Sequence, residues 1–253
     1  MSIAEGAPPE AQGFTAAQRP RAWWWLVAAS ALVLVLVAAV LTAWWAATRE
    51  TRTSTYDVLG DLAGITLDLQ DADVQIDGGS AAVQVRRVDR FAFGRASDEQ
   101  RSVRDGVLTL VSRCADQVLG SCRTDYRLTV PDNVPVTIRT SSGAVRLTGV
   151  RASVKVNTGS GAISATRFCG HSLAAVSDAG AVSAAAECSV EQLTLRSRSG
   201  NVTAVVPAGR YRVDAESDSG TSRVRGVTDA DDALFQVQAL STSGNVSVEG
   251  AAS

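Results

Sequence analysis

Six stretches of this chain share one pattern: TSSGAVRL (140–147), TGSGAISA (158–165), SDAGAVSA (177–184), SRSGNVTA (197–204), SDSGTSRV (217–224) and STSGNVSV (241–248). Their glycines, Gly143, Gly161, Gly180, Gly200, Gly220 and Gly244, are 18, 19, 20, 20 and 24 residues apart, which makes a repeat of about twenty residues. Aligned on these glycines, the chain resolves into columns. Seven residues upstream stand Val136, Val154, Leu173, Leu193, Val213 and Val237, and five upstream stand Ile138, Val156, Ala175, Leu195, Ala215 and Ala239. Two residues downstream stand Val145, Ile163, Val182, Val202 and Val246, with Ser222 breaking the column. Four downstream stand Leu147, Ala165, Ala184, Ala204, Val224 and Val248.

A period of two means strands with one face turned inward. The inward phase is odd before the glycine and even after it, so the chain turns a corner there. A residue without a Cβ suits that corner through the backbone conformations open to it. Each repeat is therefore two short strands joined at a bend. A unit this small cannot bury its own apolar face, so successive units stack at about 4.8 Å per layer. The predicted fold is all-β: a β-solenoid of two-strand layers with Ser-Gly corners. Thr140, Thr158, Ser177, Ser197, Ser217 and Ser241, three residues before each glycine, share the inward phase. They read as a hydroxyl ladder bonded to neighbouring backbone rather than as nucleophiles, because six equivalent hydroxyls share a chain with one His.

Upstream of the repeats, Ile65, Leu67 and Leu69, a corner at Asp71 and Ala72, then Val74 and Ile76 form a degenerate first layer with alanine in the glycine column. A hairpin at Asp77, Gly78 and Gly79 is expected to lead to Val83 and Val85. Residues 107–111 and 126–130 are further strands of an irregular capping part (61–131) that precedes the regular repeats (132–250) within an ectodomain spanning 61–253.

Ahead of this domain, Ala22 to Ala47 is a run without a charge, opened by Trp23, Trp24 and Trp25 and closed by Trp44 and Trp45. As a helix, its 26 residues reach roughly 39 Å at ~1.5 Å each, beyond the ~30 Å hydrocarbon core, so the run is expected to be a transmembrane helix in contact with the lipid bilayer. Signal-peptide cleavage after Ala46 or Ala47 would put a tryptophan three positions before the cut, where a small residue is needed. Residues 1–21 are expected to form a disordered cytoplasmic tail and 48–60 a linker. Arg19 and Arg21 before the run are matched by Arg49 and Arg52 after it, so charge does not orient it.

The cysteines do. All four follow the run, and disulfides persist only in an oxidising compartment. Cys169 and Cys188 each stand eight residues after a corner glycine, in one column of consecutive layers, which is disulfide range. Cys114 and Cys122 enclose seven residues and close a small loop. A four-cysteine zinc site needs CxxC-like pairs, which this spacing lacks.

The run YRLTVPDNVPVTIRTSSGAVRLTGV (126–150), followed by the strand, Ser-Gly, strand units, resembles the bacterial β-strand-repeat family of unknown function labelled "putative adhesin". That family is related to the toast-rack modules of cell-envelope stress proteins, and the resemblance covers roughly 65–249. It implies an extracytoplasmic β-repeat domain, often on a single membrane anchor, and brings no enzymatic residues.

Charge totals of 24 basic against 26 acidic residues argue against a general nucleic-acid binder. One His excludes a multi-histidine metal site, and no cofactor is expected. The totals conceal a basic band: 14 basic against 7 acidic residues over 86–167, net +7, between acidic flanks. Arg139, Arg146, Arg151 and Lys155 in that band are candidate contacts for an anionic wall polymer; envelope proteins are the other candidate partners. Asp229, Asp231 and Asp232, in the insert that lengthens the last spacing, could serve Ca²⁺ or acid-base chemistry on a polysaccharide, although a solvated turn is the plainer reading. The expected function is a non-catalytic, membrane-anchored scaffold or adhesin-like module. The alternatives are an accessory of a cell-envelope stress response and an enzyme acting on envelope glycans.

Overall fold

The computed structural model describes residues 21–47, 49–92, 96–114 and 121–251; the expected disordered tail lies almost wholly outside the described residues, which begin at its last residue, Arg21. Two units are present, Met1–Thr48 and Arg49–Ser253. In the first, α1 (Arg21–Ala47) forms from alanine, leucine and valine without proline or glycine. The stretch Trp24–Trp44 is long and apolar enough to cross a membrane. Its few polar side chains are satisfied within the helix: the Ser30 and Thr42 hydroxyls each donate back to a carbonyl one turn earlier, Val27 and Ala39, at 2.9 Å.

The second unit runs through β1 (Arg49–Val58), β2 (Gly64–Gly78), β3 (Val83–Ala92), β4 (Asp98–Arg104), β5 (Val107–Arg113) and β6 (Ser121–Val130). The repeats follow as strand pairs: β7 (Val136–Ser142) with β8 (Val145–Thr148), β9 (Val154–Thr158) with β10 (Ile163–Phe168), and β11 (Ser172–Ser177) with β12 (Val182–Ala186). After these come β13 (Gln192–Ser197) with β14 (Val202–Pro207), β15 (Arg210–Ser217) with β16 (Ser222–Arg225), the short β17 (Thr228–Asp229), and β18 (Gln236–Ser241) with β19 (Val246–Ala251).

Two sheets face each other across the core, and β2 bends from one into the other. The first runs β4, β5, β2, β7, β9, β11, β13, β18, β15. The second runs β1, β3, β6, β2, β8, β10, β12, β14, β19, β16. Apart from β1 with β3, β3 with β6 and β4 with β5, these pairings are parallel, as layer-on-layer stacking requires. The sequence columns are the observed register. Leu67, Ile138, Val156, Ala175, Leu195, Ala239 and Ala215 stand in one row of the first sheet. Ile76, Leu147, Ala165, Ala184, Ala204, Val248 and Val224 do so in the second, and most of these side chains are fully buried. Ala72 takes the place of a corner glycine opposite Gly143.

The hydroxyl ladder forms at five of its six positions: Thr140 donates to the Gln70 carbonyl at 3.2 Å, whereas the buried Thr158 hydroxyl has no hydrogen-bond partner among the described residues. Ser197 Oγ donates to the Gly180 carbonyl of the neighbouring layer at 2.8 Å and accepts from the Gly200 N–H at 2.9 Å. Ser177, Ser217 and Ser241 donate to Gly161, Gly244 and Gly200 in the same way. Both bridges form, Cys169 to Cys188 with Cα atoms 5.2 Å apart and Cys114 to Cys122 at 5.9 Å.

Four expectations are corrected. Of the corner glycines only Gly143 has a left-handed φ, +119°. The others are glycine because layers touch there: a Cβ on Gly180 would lie 2.1 Å from the Gly161 carbonyl oxygen, well inside contact distance. The stretch 48–60, expected as a linker, contains β1, paired along its whole length with β3. The turn after β2 is not a hairpin, because β6 lies between β2 and β3 and pairs with both. Finally, the last two layers are inverted. The C-terminal pair β18/β19 inserts between β13/β14 and β15/β16, and the Gly220 layer closes the stack. The physical reason lies in the repeat itself. The Gly220 layer carries Ser222 in the apolar column and leaves Val224 42% exposed, whereas Val237, Ala239, Val246 and Val248 of the last repeat are all apolar and buried. The layer less costly to expose stands at the end, and the insert that lengthens the final spacing carries the chain back.

Candidate functional site

Most of the groups that could have marked an enzyme are engaged elsewhere in the fold. The inward hydroxyls of Ser177, Ser197, Ser217 and Ser241 are committed to corner carbonyls. His171 Nδ1 lies 2.9 Å from Glu191 Oε2 on the surface. In the insert, Asp229 Oδ1 accepts from the Val213 N–H at 3.0 Å, Asp232 pairs with Arg210 at 2.6 Å, and the Asp231 main-chain carbonyl accepts from Arg212. No cluster of potential metal ligands occurs among the described residues. Replacing Asp229, Asp231 and Asp232 together with Asn is therefore expected to cost no more than about 1 kcal/mol in thermal unfolding, since amide oxygens still accept and exposed ion pairs contribute little.

Of the four expected cationic contacts, Arg139 and Lys155 stand exposed on the outer face of the first sheet, on adjacent strands β7 and β9. Arg146 stands on the outer face of the second sheet, and Arg151 in the turn before β9. The fold therefore does not gather these four. It gathers a different set around Arg146. Arg86 on β3 is directly opposite Arg127 on β6; Arg127 is opposite Gln75 on β2, and Gln75 is opposite Arg146 on β8. At ~4.8 Å per strand, three exposed guanidinium groups share one row within roughly 15 Å.

Among the described residues no carboxylate lies within ion-pairing distance of Arg86, Arg127 or Arg146. Of the acids in the next row, Asp125 pairs with Arg90 through Oδ2 while its Oδ1 is buried without a hydrogen-bond partner among the described residues, and Asp73 lies 3.8 Å from Arg123. Asp77 accepts from the Gln75 amide at 3.0 Å. The three arginines, Arg90, Gln75, Asp73 and Asp125 border an open cavity of about 330 Å³. Like charges directly opposite one another weaken a sheet, so this row is not explained by stability.

Beneath it, the inward sides of the same strands hold a buried polar network. One oxygen of Asp89 accepts from Arg87 Nε at 2.9 Å, Ser97 Oγ at 3.0 Å and Thr124 Oγ1 at 3.0 Å. Arg87 also donates to the Ser97 hydroxyl at 2.7 Å and to its carbonyl, and reaches Glu99 at 3.5 Å. Glu99 accepts from Tyr126 Oη at 2.7 Å and Tyr56 Oη at 3.0 Å. Arg101 lies over the Tyr56 ring, 4.3 Å from its centroid. Burial first, then the charge of Glu99 and the hydrogen bond each phenol makes to it, pushes both phenols far above their ordinary range, so they remain neutral donors. This network locks β3 and β6 onto β4 and β5, and so holds Arg86 and Arg127 in place.

Sequence reasoning missed this site although a signal existed. Arg87 and Asp89 fall in phase with the inward Val83 and Val85, so two charges at core positions announce a buried pair. Nothing local shows that β6 comes to lie beside β3, which is what aligns Arg86 with Arg127.

The fold is similar to the crystal structure of a "putative cell adhesion protein" from Clostridium sporogenes, with a TM-score of 0.50 and 10% identity over 80% of this chain and 100% of that one. A "putative adhesin" from Bacteroides fragilis matches with a TM-score of 0.47 and 14% identity, over 80% of this chain and 97% of that one. No curated protein matches. A family match described as Toastrack DUF4097 covers residues 65–249, from the first strand of the β2 layer to the last strand of the repeats. The corner repeat, the stacked layers and that match agree: the chain belongs to the Toastrack DUF4097 family.

Proposed function

We propose that this protein is a non-catalytic, adhesin-like scaffold, anchored by α1 in the cell membrane with its N-terminus cytoplasmic and its β-domain outside, where it contacts anionic polymer of the envelope. The observation that carries this reading is the row of Arg86, Arg127 and Arg146, none of them ion-paired among the described residues, in a cavity where four arginines face two aspartates, on a face underlain by the buried network. An excess of positive charge on a preorganised surface favours a polyanion. The two disulfides support an oxidising location for the β-domain. The engaged serines, Asp229 and Asp232 support a non-catalytic role.

Two measurements test it. After mild reduction, a thiol reagent that cannot cross membranes should label the cysteines on intact wall-stripped cells; labelling only after lysis would reverse the orientation. The detergent-solubilised full chain should be retained on purified anionic wall material and released by salt, because exposed charges are screened within ~8 Å at physiological ionic strength. Failure to be retained at low salt would remove the polymer as partner.

A further inference from the structure

The arginine row does not end at Arg146. Across the second sheet, Arg146 is opposite Ser164 on β10, followed by Ser183 on β12, Thr203 on β14, Ser247 on β19 and Arg223 on β16. One cross-strand row thus presents arginines at its β3 end, then four consecutive hydroxyl residues, then a terminal arginine. Its length is eight strand steps, roughly 38 Å at ~4.8 Å each. The four hydroxyl residues are small and half-buried and the arginines are exposed, so a cross-strand track of small polar side chains runs over the sheet.

We infer that this row is a binding track for a linear phosphate-bearing polymer lying across the strands, with its phosphates on Arg86, Arg127 and Arg146 and its hydroxyl-bearing units along Ser164, Ser183 and Thr203. The inference rests on the anionic-polymer reading above and names the site and the chemistry. Phosphate fits better than carboxylate. Arg86 and Arg127 are one strand apart, so both guanidinium groups can reach one tetrahedral phosphate, whose oxygens point in different directions, whereas a carboxylate offers its two oxygens in a single plane. Arg146 is two strands beyond Arg127, roughly 10 Å, and meets the next charge along a chain rather than the same one. A track of hydroxyls between charged ends suits a polymer with neutral, hydrogen-bonding units between its phosphates.

The test uses the full chain in non-ionic detergent, with inorganic polyphosphate as the probe and polyglutamate as the carboxylate control, each titrated against salt. Polyphosphate should bind at least several-fold more tightly than polyglutamate. The combined change Arg86→Gln, Arg127→Gln and Arg146→Gln should weaken polyphosphate binding by roughly 30-fold and lower the slope of log affinity against log salt by about 2, for three lost phosphate contacts. Arg139→Gln, Arg151→Gln and Lys155→Gln remove the same charge from elsewhere and should cost less than about 3-fold.

Equal losses from the two triple variants would overturn the track in favour of net charge, as would unchanged binding in the first. Equal binding of polyglutamate would overturn the phosphate assignment. Competition by phosphatidylglycerol-doped micelles as strong as by polyphosphate would overturn the polymer in favour of a membrane surface. Retention on wall material that survives in the first triple variant would overturn the track while leaving the scaffold reading intact.

Discussion

Gly180→Val lowers the melting temperature of the β-domain by about 15 °C or abolishes its cooperative unfolding, whereas Thr203→Val on the outer face changes it by no more than a degree or two. The cause is a steric conflict between layers. A Cβ at Gly180 would sit 2.1 Å from the Gly161 carbonyl oxygen and 2.4 Å from its carbonyl carbon. Those atoms belong to a hydrogen-bonded corner that also receives the Ser177 hydroxyl at 3.0 Å. Neither partner is the end of a flexible side chain, so relief requires two layers to separate. Because Gly200 stands on Gly180 in the same way, with 2.3 Å to its carbonyl oxygen, the separation propagates. A cost of about 4 kcal/mol or more is expected, above the usual range for overpacking. Thermal unfolding of the full chain followed by strand circular dichroism measures it. A Gly180→Val protein that melts like Thr203→Val would show that the layers do not touch at the corners.

Asp89→Ala is expected to cost about 3 kcal/mol, seen as a fall of roughly 10 °C in melting temperature. One Asp89 oxygen receives Arg87, Ser97 and Thr124, all buried. Its removal strands a guanidinium beneath the cap and two hydroxyls that have lost an acceptor. Glu99, 3.5 Å from Arg87 and already receiving two tyrosines, compensates only in part. Asp89→Asn should fall between, because the amide oxygen still accepts while the charge is lost. Asp57→Ala, on the surface and bonded only to Gln84 at 2.9 Å, is the control and should change little. Equal melting of the Asp89→Ala and Asp57→Ala proteins would remove the network as the fastening of the cap. Since the network underlies Arg86 and Arg127, Asp89→Ala should also weaken polyanion binding without altering the charge of the outer face.

The alternation of Val136, Ile138, Val145 and Leu147 and its five echoes were sufficient to read the layer, its two faces and its corner, because side-chain direction in a strand is a local consequence of backbone geometry. The Cys169 to Cys188 bridge followed from the same register. The corner glycines were legible as a column but not for the right reason. A left-handed φ is a local property, whereas the approach of Gly161 to Gly180 exists only once two layers meet.

Spatial order was not legible in the same way. Each layer presents the same pattern of backbone donors and acceptors to its neighbours, so hydrogen bonding alone leaves the order of layers undetermined. Burial decided it: Ser222 made the Gly220 repeat the less costly one to leave at the end, and the last repeat went inside. β6 likewise comes to lie between β2 and β3, which sets Arg127 beside Arg86. The periodic chain thus determined what each strand shows to the core and to solvent. Only the packed tertiary structure, by minimising exposed apolar surface over all layers at once, decided which strands became neighbours and therefore which surface charges form a site.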